Sequence, residues 1–117
     1  MAKIRDKIMS RIEKVNELLK QELGRIFLEN IEFEPGVMVT VMYAEASDNL
    51  ETANIWLSIF PKEKEKSALK QLVEQIGEIQ GFLNKRLVLR FVPKISFRID
   101  NSEEYVYKID KVMREVK

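Results

Sequence analysis

Apolar residues recur along the N-terminal part of the chain at the spacing of an α-helix. They follow one another at intervals of three or four residues, which places them on one stripe of a helix. The stripe consists of Ile4, Ile8, Ile12, Val15, Leu19, Leu23 and Ile26. Because no proline interrupts the pattern before Pro35, it predicts one long helix from about Lys3 to Asn30.

A period of two replaces the helical period after Pro35-Gly36. The β-branched run at residues 37–43 places Val37, Val39, Val41 and Tyr43 on one face of a strand. Residues 53–60 alternate in the same way, and Ser-Asp-Asn-Leu at 47–50 is typical of a turn. The two segments therefore predict an antiparallel hairpin. Alternation at residues 95–99 predicts a third strand.

The segment between the second and third strands predicts two helices with a bend between them. Leu69, Leu72 and Val73 share a helical face, and Gly77 and Gly81 interrupt the pattern. We expect a kink at Gly81 with a short second helix beginning there. The free backbone N–H groups of such a helix end would attract phosphate.

The last predicted element is a helix near the C-terminus. Asp100-Asn101-Ser102 is typical of a turn, and Ser102 is well placed to cap a helix that buries Tyr105 and Ile109. The full order is helix, two strands, helix, kinked helix, strand and helix. A small sheet needs cover on one face, so this order predicts an α+β two-layer domain that spans residues 1–117.

Composition excludes several kinds of chemistry. The 117 residues contain no cysteine and no histidine, which excludes disulfides, thiolate catalysis and the usual zinc ligands. We expect no metal and no other cofactor. No apolar run approaches the roughly 20 residues that span a bilayer, so we expect a cytoplasmic protein that does not bind membranes.

Positive charge is concentrated in one window of the chain. The formal net charge is only +1, but no acidic residue occurs from Ile79 to Ile99. The cations of this window are Lys85, Arg86, Arg90, Lys94 and Arg98. The pattern indicates a surface that binds the phosphate backbone of a nucleic acid, although a solvated basic face is the alternative. A second basic flank lies on the first helix and consists of Lys3, Lys7, Arg11, Lys14 and Arg25, for which i,i+4 ion pairing within the helix is the alternative.

Several short motifs, taken in order, resemble the ribosome-binding factor A family. They are VTVMYAEASDNLETA at 39–53, Trp-Leu-Ser at 56–58, Gly-Phe-Leu at 81–83, LRFVPKISF at 89–97 and Asp-Asn-Ser at 100–102. The resemblance covers nearly the whole chain and implies a type II KH-like fold with a kinked Ala-x-Gly in place of the usual Gly-x-x-Gly loop. Here Ile79 stands at the alanine position, and Asn49 replaces a frequent aspartate.

The family resemblance also implies a function and a set of contact residues. Its members bind the small ribosomal subunit and its ribosomal RNA late in assembly and have no enzymatic activity. We therefore expect a monomer that binds ribosomal RNA and no small-molecule substrate. The candidate RNA-binding residues are Gly81, Asn84, Lys85, Arg86, Arg90 and Lys94, with Lys3, Lys7, Arg11 and Lys14 from the first helix.

Two other classes of function are alternatives to RNA binding. A protein-interaction module would use an exposed hairpin edge around Trp56. An enzyme would need paired carboxylates such as Glu103 and Glu104, but the chain has no histidine and no Walker-type glycine loop. The sequence therefore favours a binding protein over an enzyme.

Overall fold

The computed structural model describes residues 10–101 and begins with a capped helix, α1, at Arg11–Asn30. Ser10 is extended (φ −68°, ψ 161°), and its Oγ accepts a hydrogen bond of 3.1 Å from the backbone N–H of Glu13. Ser10 and Glu13 have the Ser-x-x-Glu spacing of a capping box, so a helix begins at this point. The predicted continuous helix from Lys3 is therefore wrong at Ser10, and its earlier residues lie outside the described part.

Three strands form one sheet in the order β1-β2-β3, with β1 at Met38–Ala46, β2 at Thr52–Phe60 and β3 at Lys94–Ile99. β1 and β2 are antiparallel, which confirms the predicted hairpin, and β3 lies parallel to β2. β2 is consequently the central strand.

A β-bulge at Met42 changes which side chains of β1 face the core. Val41 pairs with Leu57 and Tyr43 pairs with Trp56, so Met42 is an extra residue in the ladder. The predicted strict alternation placed Tyr43 on the same face as Val41. This is wrong, because the bulge turns Tyr43 outward while Val41 stays buried.

The helical pair consists of α2 at Glu65–Glu74 and α3 at Ile76–Arg86, preceded by a single 3₁₀ turn at Lys62–Lys64. The helices are separated at Gln75 (φ −95°, ψ 7°), so the predicted kink at Gly81 is wrong. Backbone bonds of 3.0 Å from Gln75 to Gln71 and from Ile79 to Gln75 continue across the junction. Gly81 lies inside α3, and no helix begins there to present free N–H groups.

The core lies between the sheet and the three helices, all of which pack on the same face. Leu19 and Leu23 of α1, Leu72 of α2 and Ile79 of α3 are completely buried against strand residues such as Leu57. The α+β two-layer fold is therefore confirmed, and so is the order of its elements from the first helix to the third strand. The predicted final helix, including Ser102, Tyr105 and Ile109, lies outside the described residues.

Within residues 10–101 no helix combines the length and the hydropathy that crossing a bilayer requires.

Candidate nucleic-acid interface

The connection from α3 to β3 runs back along α1 towards its N-terminus. At its start, Arg86 contacts Glu22 and Glu29 of α1, whereas its later residues approach Arg11 and Val15. This path carries the basic window from the end of α3 to the first turn of α1. It thereby brings together two basic segments that are far apart in the sequence.

Three segments enclose a cleft of about 530 Å³, which we call the Arg11–Arg90 cleft. Its walls are the first turns of α1, the turn between β1 and β2, and the end of the α3–β3 connection. The lining residues are Arg11, Val15, Asn49, Leu50, Glu51, Leu89, Arg90, Phe91, Val92 and Pro93. Arg11 and Arg90, both predicted as RNA contacts, therefore share one cleft.

Hydrogen bonds hold the turn that forms one wall of this cleft. The Asn49 Oδ1 atom accepts bonds from the Ser47 hydroxyl (2.7 Å) and from the backbone N–H of Glu51 (3.1 Å). The backbone N–H of Lys94 donates to the Glu51 carbonyl at 2.9 Å, which joins the turn to β3. Leu50 has a positive φ of 59°. These hydrogen bonds define the shape of this wall.

The cleft has a net positive lining and an apolar floor. Among its described lining residues Glu51 is the single acid, and no described carboxylate pairs with Arg11 or Arg90. The guanidinium carbon of Arg90 lies 5.5 Å from the ring centroid of Phe91. Two cations beside apolar and aromatic surface suit a ligand with both phosphate and planar groups.

Arg86 differs from the other candidates, because its guanidinium already has protein partners. Nη2 donates to Glu29 Oε2 at 2.8 Å and to Asn30 Oδ1 at 3.1 Å, and Nη1 lies 3.8 Å from Glu22 Oε2. The hydrogen bond and the charge of Arg86 lower the pKa of Glu29 below its ordinary value. Arg86 therefore connects the end of α3 to α1.

The outward face of α3 carries three more of the predicted residues. Asn84 and Lys85 are exposed, and a Cβ built on Gly81 would meet no atom within 4 Å. Asn84 Oδ1 accepts a bond of 3.1 Å from the side chain of Gln80. This face is separate from the cleft, so the predicted residues occupy more than one surface.

Lys94 and Arg98 lie on the sheet face that points away from the helices. Ile95 and Phe97 alternate with them and are buried in the core. Lys94 is exposed and directly follows Pro93 of the cleft, but Lys94 itself does not line the cleft. Lys14 is exposed on α1, whereas Lys3 and Lys7 lie outside the described residues.

Trp56 does not lie at an edge, because β2 is paired on both sides. The predicted hairpin edge around Trp56 is therefore wrong. The indole stacks on Tyr43, with 5.7 Å between ring centroids and 19° between planes, on the sheet face opposite the described helices. Desolvation raises the pKa of Tyr43, and the charges of Asp100 and Glu45 add to this effect.

Sequence reasoning missed several residues that shape the interface. Gln80 donates to the Pro93 carbonyl at 3.0 Å and accepts from the Ile95 N–H at 2.9 Å, which fixes the end of the connection. A single glutamine on a helix gives no sequence signal for such a role. Phe91 lies between Arg90 and Pro93 and is 77% exposed. Its sequence signal was an aromatic residue inside a basic window, which is typical of nucleic-acid contacts.

The described residues include no group of three acidic side chains placed to hold a metal ion.

Comparisons with known proteins agree with the fold. The family model of ribosome-binding factor A matches residues 11–113. A protein of that name from Akkermansia muciniphila is 37% identical over 94 residues, which cover 80% of this chain and 74% of the relative. One from Brevibacillus brevis is 33% identical over 108 residues, covering 92% and 89%.

Solved structures give the same result. The crystal structure of ribosome-binding factor A from Thermus thermophilus superposes with a TM-score of 0.65 at 19% identity, covering 75% of this chain and 93% of that one. A homology model of the same Thermus protein, fitted into a cryo-EM map of its 30S complex, gives 0.63 at 20% identity and covers 74% and 91%. The chain belongs to the ribosome-binding factor A family.

Proposed function

We propose that this protein binds the small ribosomal subunit by contacting phosphates of its ribosomal RNA. The observation that carries the proposal is the Arg11–Arg90 cleft, in which cations from two distant parts of the chain meet without a paired carboxylate among the described residues. The related Thermus protein fitted into a 30S complex supports the choice of partner.

The mechanism is recognition of RNA shape and backbone without catalysis. Guanidinium groups of Arg11 and Arg90 bind phosphate oxygens, and Lys94 and Lys14 add positive potential around the cleft. Gly81, Asn84 and Lys85 contribute a second contact on the outward face of α3. We assign Arg86 to this site indirectly, because it holds the connection that carries Arg90 against α1.

The biological role follows from differential affinity. A protein that binds one arrangement of ribosomal RNA more tightly than another shifts the RNA towards that arrangement. We propose that the protein, as one domain over residues 1–117, acts in the cytoplasm as a monomer on late maturation of the small subunit and on rRNA processing.

Co-sedimentation with purified small subunits tests this function. The wild-type protein is expected to sediment with small subunits and not with large ones, and to dissociate as the salt concentration rises. Arg90→Glu is expected to abolish the association. Lys66→Glu is the matched control. Lys66 is an exposed cation in the first turn of α2, which follows the end of β2, whereas the cleft lies beside the turn at the start of this nine-residue strand. Equal binding of both variants would refute the site.

A second candidate is a protein-binding face on the side of the sheet opposite α1, α2 and α3. Tyr43 and Trp56 are stacked there, and Met38 and Phe60 are 65% and 69% exposed. Apolar contacts depend weakly on ionic strength. Association with small subunits that persists at high salt and is lost in Trp56→Ala would therefore favour this candidate.

A further inference from the structure

We infer that the Arg11–Arg90 cleft receives the base and phosphate of one unpaired nucleotide, a finer assignment that rests on the proposed RNA-binding function. The cleft lies between α1, the β1–β2 turn and the end of the α3–β3 connection. Its volume of about 530 Å³ falls within the range of roughly 300–1,000 Å³ that is usual for pockets that enclose small ligands. It is therefore large enough to hold a nucleotide and not only a phosphate ion.

The lining separates into a part suited to a base and a part suited to a phosphate. Leu89 and Val92 present partly exposed apolar surface to the cleft, whereas Val15 and Pro93, which also line it, are almost completely buried. Arg11 and Arg90, which line the same cleft, form the part suited to a phosphate. A paired base has its faces covered by neighbouring bases in a helix, so only an unpaired nucleotide offers its planar face to such a floor.

Phe91 is the residue on which the base stacks. Its side chain is 77% exposed although it is apolar, and it lines the cleft. The Arg90 guanidinium lies over the ring at 5.5 Å, which leaves the opposite ring face for a base. An aromatic ring stacked between a guanidinium and a base is a recurrent arrangement in proteins that bind single-stranded RNA.

Asn49 supplies a polar group for the edge of the base. Its Oδ1 atom is held by the Ser47 hydroxyl and the Glu51 N–H, so its amide nitrogen remains to donate a hydrogen bond. Every RNA base carries an acceptor on its edge, so this contact orients a base without selecting one. The cleft accordingly recognises an unpaired nucleotide in general.

Binding of short RNA to the full chain tests the inference. The probe is an unstructured RNA oligonucleotide that contains 2-aminopurine, compared with a duplex of the same sequence. The wild type is expected to bind the single strand more tightly than the duplex and to quench the 2-aminopurine emission. Equal affinity for the two forms would overturn the inference.

Two phenylalanine variants isolate the stacking contact. Phe91→Leu keeps an apolar side chain but removes the ring, and it is expected to weaken single-strand binding by about tenfold and to abolish the quenching. Phe60→Leu is the matched control. Phe60 is also an exposed phenylalanine (69%), and it is the last residue of β2, whereas the cleft lies beside the turn at the start of that strand. Equal single-strand binding by both variants would contradict stacking on Phe91.

The outcome also separates this inference from the proposed function. If Phe91→Leu matches the wild type with the oligonucleotide while both still sediment with small subunits, the nucleotide pocket is refuted and the function stands. If the wild type does not sediment with small subunits, the function itself fails, and this inference fails with it.

Discussion

Arg86 and Glu29 join the end of α3 to the end of α1 through a hydrogen bond of 2.8 Å between Nη2 and Oε2. The pair attaches the start of the α3–β3 connection, which leads to Arg90 and Phe91, to α1. Because Glu22 and Asn30 also contact the guanidinium, the connection is anchored at one end before it reaches the cleft. These contacts thus hold the start of the segment that carries Arg90 and Phe91, the side chains proposed to bind RNA.

Replacing Arg86 is expected to lower stability more than replacing Arg90. Arg86→Glu places a third carboxylate beside Glu22 and Glu29, whereas Arg90 is exposed and without a described carboxylate partner. Thermal unfolding of both variants measures the effect, and the melting temperature should fall for Arg86→Glu and stay close to the wild type for Arg90→Glu. Unchanged melting of Arg86→Glu would show that the pair does not support the fold.

The Arg86–Glu29 pair also predicts a pH dependence. Arg86 lowers the folded-state pKa of Glu29 below its ordinary value of 4.5, so the stabilisation is present above that value. It is lost as the pH falls through the lowered folded-state pKa. Denaturant unfolding from neutral pH to about pH 3 should show a smaller acid loss in Arg86→Met than in the wild type. Arg25→Met is the control, since Arg25 is only a minor cause of the Glu29 shift.

Local elements were predictable because their signals are local. The antiparallel hairpin, the third strand and the two helices between the strands follow from periods of two and of three to four residues. The Ser10–Glu13 capping box was also readable, but the continuous apolar stripe from Ile4 concealed it. The break at Gln75 carries no glycine or proline, so composition alone favoured Gly81.

The candidate site was only partly predictable because its parts come from distant segments. The charge pattern identified Arg11 and Arg90, but their meeting in one cleft depends on how the α3–β3 connection packs along α1. The partners of Arg86 lie 57 and 56 residues earlier in the chain, so no window of sequence indicated that this cation is paired. Such pairing is decided by helix packing.

The salt dependence of subunit binding should report the number of phosphates that the cleft contacts. Each phosphate contact contributes about one unit to the slope of log affinity against log salt concentration. Arg11→Gln and Arg90→Gln are each expected to reduce the slope by about one, and the double variant by about two. Lys66→Gln, remote from the cleft, should leave it unchanged. A slope unaffected by the double variant would exclude phosphate contacts at the cleft.

Alanine at Gly81 separates stability from binding. No atom lies within 4 Å of a Cβ at Gly81 or at Gly24, so alanine should stabilise α3 or α1 by about 0.5–1 kcal/mol in either case. We expect only Gly81→Ala to weaken subunit binding, because its methyl group would separate the outward face of α3 from RNA. Equal affinity of the two variants would remove Gly81 from the interface.

Deleting Met42 tests the bulge that sets the outward face of β1. Without Met42 the chain passes directly from Val41 to Tyr43, which restores regular alternation and keeps Val41 inward and Tyr43 outward. The deletion should therefore cost at most about 2 kcal/mol, which is the loss of a partly buried methionine. Emission from Trp56, the single tryptophan, reports whether its stacking on Tyr43 survives.

Deletion of Ser58 is the contrasting variant for this test. Ser58 pairs with Thr40 in the regular part of the ladder, so its loss moves buried residues such as Ile59 to the opposite face. We expect this deletion to abolish cooperative unfolding, while the Met42 deletion retains it. Equal loss of stability in the two deletions would contradict the interpretation of Met42 as an extra residue in the ladder.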